Sequence, residues 1–168
     1  MLLITYVVDS SVLTDLEAAD VLLEAPLMPR FDLAVPDLIQ SFGEAEKHDA
    51  CELEKYDFAI LESGEMELVE DIDHARGSPE LGLRDVWALY LCDSRGLKLL
   101  TRSPQLAKAA RDVGVVVHST LWLLDKMVAA GCLSPWGAVA AVDRTQEAGC
   151  GLDEASCARF REKWRRST

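Results

Sequence analysis

The sequence predicts an α/β protein: a largely parallel sheet of roughly five strands with helices on both faces, followed by a purely helical C-terminal extension. Three observations lead there. Short apolar runs alternate with helix-patterned segments as far as Gly131. Several of those runs are apolar at consecutive positions, as strands buried on both faces are. Beyond Gly131 only helical patterning remains. With 168 residues, 49% of them hydrophobic, the chain can bury one sizeable core and is short for two. The expected organisation is an α/β domain over residues 1–133 and a helical extension over 134–168 packed on or beside it.

The opening run LLITYVV, about residues 2–8, is the first strand and stops at Asp9. In SSVLTDLEAADVLLEA, Leu13, Leu16, Val21 and Leu23 suit a helix with Ser10 or Ser11 as its N-cap, ended by Pro26 and Pro29. LAV (33–35) is the second strand. Pro36 then opens a long segment that reads as mostly helical up to Gly64. MELVED (66–71) alternates as a third strand, and HARGSPELG (74–82) is a loop rich in turn residues. From Leu83 a helix is expected, because Leu83, Trp87 and Leu91 recur every four residues and Gly96 supplies a stop. KLLT (98–101) is a strand, 104–114 a short helix closed by Gly114, VVVHS (115–119) a strand and 121–131 a helix. Helices over 134–149 and 152–168 complete the chain.

Composition narrows the function. No apolar stretch approaches the roughly 18–20 residues of a membrane span, and the opening run reads as a strand rather than a signal peptide, so a cytoplasmic protein is expected. The five cysteines are odd in number and form no C-x-x-C pair, which points to reduced thiols, mostly in the core. A net charge of −12 is a poor match for a polyanion unless metal ions, a local basic patch or a partner supply positive charge. The dense basic cluster lies in the last helix, at Arg159, Arg161, Lys163, Arg165 and Arg166. His48, His74 and His118 are scattered, with no spacing that suggests a metal pair. Trp87, Trp122, Trp136 and Trp164 recur on apolar faces and read as core or tail-docking residues rather than base-stacking platforms, and His118, after a strand, reads as a packing residue.

Ligands of parallel sheets bind beyond the carboxyl ends of the strands, which makes Asp9 a site candidate. No glycine follows it, so neither a dinucleotide fingerprint nor a P-loop is available. Asp85, near the first turn of its helix, is the second candidate; acids are common there because exposed N–H groups stabilise them.

Four pieces, VVDSSVL (7–13), VPDLI (35–39), LGLRDVWALYLCDSRGLKLLT (81–101) and LAKAARDVGVVVHSTLWLL (106–124), stand in an order that resembles the PIN-domain family, including the VapC-like toxins. The resemblance covers most of residues 3–133 and implies an α/β/α sandwich that cleaves RNA with Mg²⁺ or Mn²⁺. Converging carboxylates repel one another until a hard cation binds among them, so the ion is integral to such a site. Asp9 and Asp85 match the first and third acids of the pattern and are the expected metal ligands. Ser10, Ser11, Thr101 and Ser103 are expected in support.

Two positions depart from the pattern. Phe42 stands where the second acid falls, with Glu44 and Glu46 close behind, and one of these glutamates is expected to complete the catalytic set. Arg102 and Ser103 stand where another acid follows the LLT strand. A serine hydroxyl is a neutral, weak ligand, so a weakened site holding one ion rather than two is expected. The expected function is an endoribonuclease, such as the toxin of a toxin–antitoxin pair. The alternative is a degenerate domain that binds RNA or a protein without cutting. Arg102, Arg159, Lys163 and Arg166 are candidate RNA contacts. The expected partners are RNA, an antitoxin or other protein, and a second copy of the chain joined through the apolar helix 121–131 or the tail.

Overall fold

The computed structural model describes residues 2–37, 53–62 and 81–167. Five strands, β1 (Ile4–Val8), β2 (Phe31–Pro36), β3 (Ala59–Leu61), β4 (Lys98–Leu100) and β5 (Val117–His118), form one sheet in the order β3-β2-β1-β4-β5. All four pairings are parallel. Six α-helices accompany them among the described residues: α1 (Ser10–Ala18), α2 (Leu83–Arg95), α3 (Pro104–Asp112), α4 (Thr120–Ala129), α5 (Pro135–Glu147) and α6 (Glu154–Arg166). The fold class is α/β, as expected.

Strand alternation builds the layers. Tyr6 and Val8 of β1 and Leu100 of β4 point into a core shared with α1, α4, α5 and α6, through residues such as Leu13, Leu16, Leu124, Val142 and Trp164. Val7 and Leu99 point the other way, against Ala88 and Leu89 of α2 and Leu106 and Ala110 of α3. The extension is thus part of the first core. Trp164 is fully buried and its Nε1 donates to Asp125 Oδ1 at 3.0 Å. Burying an aromatic side chain of this kind stabilises the docked helix by roughly 2–3 kcal/mol. No helix among the described residues is long and apolar enough to cross a membrane.

Three expectations are corrected. The third strand is Ala59–Leu61, within the segment read as mostly helical. Phe58 N–H donates to the Leu53 carbonyl at 3.2 Å while Asp57 takes a left-handed φ of 65°, a Schellman-type closure that ends the preceding turn and releases the chain into the strand. A three-residue apolar run carries too little periodicity to separate strand from helix. The run 66–71 lies outside the described residues. The first helix ends at Ala18 instead of running to the prolines, because Asp20 adopts a φ of 59° and Val21 N–H returns to Leu16 O. Finally, the N-cap of α1 is Asp9 rather than either serine: its backbone is extended and its side chain accepts the Val12 N–H.

Candidate metal centre at the strand-end crevice

From β1 the chain proceeds to β2 on one side, while β4 lies against β1 on the other, so the sheet order reverses between β1 and β4. In open parallel sheets the crevice at such a reversal, beyond the strand ends, is where ligands bind. Asp9 N–H donates to Leu100 O at 3.1 Å, which brings the last residue before α1 against the turn that leaves β4.

The Asp9 carboxylate is almost fully buried and held by three donors. Ser11 Oγ at 2.6 Å and Val12 N–H at 3.0 Å reach Oδ1, and Thr101 Oγ1 reaches Oδ2 at 2.5 Å. Behind them, Arg102 N–H donates to Ser11 Oγ at 3.0 Å and Ser103 N–H to Thr101 Oγ1 at 3.0 Å. The Thr101 and Ser11 hydroxyls therefore hold the Asp9 carboxylate in place. Ser10 is exposed, and its carbonyl accepts from Thr14 Oγ1.

Asp85 sits in the first turn of α2, where Gly82 is the N-cap and the Gly82 N–H bonds the carboxylate, half of a capping box. Burial and then the Asp9 charge push Asp85 above the usual carboxylate range, partly offset by that N–H and by Arg84. The two acids thus feel each other across the crevice. Asp85→Asn is expected to raise the thermal midpoint of the metal-free protein, since the amide removes a desolvated and repelled charge. It is also expected to erase any stabilisation by added Mn²⁺; melting with and without the ion measures both.

The structure explains Ser103 and Arg102 differently from the sequence. Ser103 is the N-cap of α3, its Oγ accepting the Leu106 N–H at 3.3 Å, with Pro104 at the first helical position. Ser103→Ala is expected to cost about 1 kcal/mol, read from the urea midpoint, with any divalent-ion affinity retained. The Arg102 side chain pairs with Asp15 at 3.1 Å rather than adding its charge to the carboxylates of the crevice. Of the basic tail, Lys163 pairs with Asp125 at 2.7 Å, Arg161 with Asp143 at 2.6 Å and Arg166 with Glu162, while Arg159 donates to Ser156 Oγ at 3.3 Å. Three of these four cations are thus paired with carboxylates within the chain. Phe42, Glu44 and Glu46 lie outside the described residues.

Asp15 carries a sequence signal of its own: it falls on the buried stripe of α1 with Val12 and Leu16, where an acid is out of place. Elsewhere, His118 stacks on Trp122 at 3.7 Å, as expected for packing residues, and burial followed by Lys98 and Lys126 holds it below the usual imidazole range, whereas Trp136, on the first turn of α5, is exposed rather than packed. Cys92 and Cys157 are buried free thiols, and burial pushes Cys92 up to about 12. The apolar side chains of α4 (Leu121, Leu123, Leu124 and Met127) are buried inside the chain.

The donor set fits a hydrated hard cation in kind, since two carboxylates and neighbouring hydroxyls are all oxygen ligands and Mg²⁺ keeps most of its waters. Among the described residues no group of three His, Cys, Asp or Glu side chains could hold a metal ion. Fold and crevice together define the class: an α/β protein with a carboxylate pair at the reversal point of a parallel sheet. No protein-family model, no curated protein and no solved structure matches the chain.

Proposed function

We propose that this chain is a PIN-type endoribonuclease of the cytoplasm with a reduced acidic site, in which Asp9 and Asp85 hold one Mg²⁺ or Mn²⁺. The observation that carries the reading is the pairing of two carboxylates, one buried and one half-buried, whose charges repel at the strand-end crevice. An arrangement that costs free energy when empty and becomes favourable around a divalent cation suits a metal centre better than a structural one. When bound, the ion would orient and acidify a water and neutralise charge on a phosphodiester. The chain's own part is to hold the Asp9 carboxylate rigidly: three donors fix its plane, and Oδ2, which accepts one hydrogen bond, keeps a lone pair for a cation or its water. A partner or a second copy would supply the positive charge that RNA requires, because much of the tail's charge is paired internally.

A second reading is favoured by the same hydrogen bonds. Three of the roughly four lone-pair positions of Asp9 are used within the chain, as they would be in a domain that binds RNA or protein without cutting. Incubating a mixed RNA pool with the protein in Mg²⁺ or Mn²⁺, with chelator and with Asp9→Asn as controls, separates the two. Cleavage that needs both the ion and Asp9 supports the nuclease. Absence of cleavage, or equal cleavage by the variant, removes it.

A further inference from the structure

We infer that Asp15 and Arg102 form a positioning pair for the crevice, a buried ion pair that fixes the turn after β4 so that Ser11 and Thr101 present their hydroxyls to Asp9. As a statement about metal binding it rests on the proposed function; as a statement about the turn it stands alone.

Asp15 is fully buried on α1. A carboxylate taken out of water needs a counter-charge and hydrogen bonds. It has Thr120 Oγ1 at 2.6 Å and Arg102 Nε at 3.1 Å on Oδ2; Oδ1 lies 3.1 Å from the same Nε and receives no hydrogen bond of its own. Arg102 is therefore anchored twice. Its guanidinium is held by Asp15 in the body of α1, while its main-chain N–H donates to Ser11 Oγ, which donates to Asp9. Its neighbours on either side complete the same net, Thr101 donating to Asp9 and Ser103 N–H to Thr101.

The extension closes over this strut. Gly151, in the turn between α5 and α6, has a φ of +71°, and a Cβ built there would lie 3.3 Å from the Arg102 guanidinium. Thr120, at the start of α4, thus holds the Asp15 end of the pair, and Gly151 lies against the Arg102 end. This accounts for a cation at a position where the family resemblance leads one to expect an acid. The arginine does not serve as a ligand, and its charge is spent on Asp15.

The test uses the full chain with Asp15→Asn, Arg102→Gln, their double variant, Arg102→Lys, and Arg161→Gln as a control that loosens the extension away from the turn. Calorimetry with MnCl₂ is expected to show each of the first two weakening the ion by about tenfold, the size typical of groups that orient a ligand. The double variant is expected to be no weaker than the worse single, because one unit is lost. Arg102→Lys, which keeps the charge opposite Asp15, is expected to recover most of the affinity, and Arg161→Gln to change nothing. Amide exchange gives a metal-free readout: the Arg102 and Ser103 amides are expected to exchange faster in Asp15→Asn, while β1 amides such as Val8 keep their rate. If the wild type binds no Mn²⁺, the proposed function fails and the amide rates alone decide the pair. Unchanged Arg102 and Ser103 amides in Asp15→Asn, or equal effects of Arg161→Gln, would overturn the inference.

Discussion

Asp9→Asn is expected to lose more than about 100-fold in Mn²⁺ affinity and in RNA cleavage, beyond what is typical for removing a group that merely orients a ligand. The amide is nearly isosteric, so the capping geometry survives: its oxygen can still accept from Val12 N–H and Ser11 Oγ. Its NH₂ group would face Thr101 Oγ1 and reverse that bond, leaving the threonine proton to find another acceptor, at a cost of about 1 kcal/mol. What disappears is the negative charge, and with it the attraction that offsets stripping water from a divalent ion. A urea midpoint within about 1 kcal/mol of wild type, with cleavage and ion binding gone, separates the chemical role from the capping role. Retained cleavage would end the metal-centre reading. Asp9→Ala is a poorer test because it also removes the N-cap, a further 1 kcal/mol or so.

Arg102→Met is expected to cost about 2–3 kcal/mol at neutral pH, below the usual figure for breaking a buried pair because the arginine keeps some solvent contact. The loss arises from Asp15, left buried without its counter-charge. Its pH dependence has a definite sign. Burial already raises Asp15 above the ordinary carboxylate value, with Thr120 and Arg102 opposing the rise, so deleting Arg102 raises it further. A raised carboxyl binds its proton more tightly in the folded state, so its contribution to stability is fully present below the unfolded value and is lost as pH rises through the folded one. The penalty of Arg102→Met is therefore largest at neutral pH and shrinks on acidification through that raised range. Urea midpoints for both proteins at neutral pH and at about pH 4.5 measure it, and a penalty that grows on acidification would contradict the assignment.

The positions legible in advance were those where one local signal sufficed. An apolar run stopping on an acid, YVVDSS, marked the end of β1, and the four-residue recurrence of Leu83, Trp87 and Leu91 marked α2. Ser103, expected in support of a metal site, and Ser134 are instead N-caps, each a hydroxyl followed by proline at the first helical position. The misread positions depended on non-glycine residues in left-handed backbone. Asp20 and Asp57 end helical turns without the glycine that announces such a stop, so α1 read too long and β3 was absorbed into a helix.

The α/β class, the strand-end place of Asp9 and the helix-start place of Asp85 can be read along the chain, because strand and helix periodicity and end signals are local properties. What surrounds Asp9 comes from packing between distant segments. Thr101 lies 92 residues away in the chain, and Thr120 lies 105 residues from Asp15. In the sequence Arg102 is a candidate RNA contact standing where an acid is expected; packing brings Asp15 to it. Neither the burial that makes Asp15 need a counter-charge nor the turn that delivers one is encoded in neighbouring residues; both follow from the order in which the strands assemble.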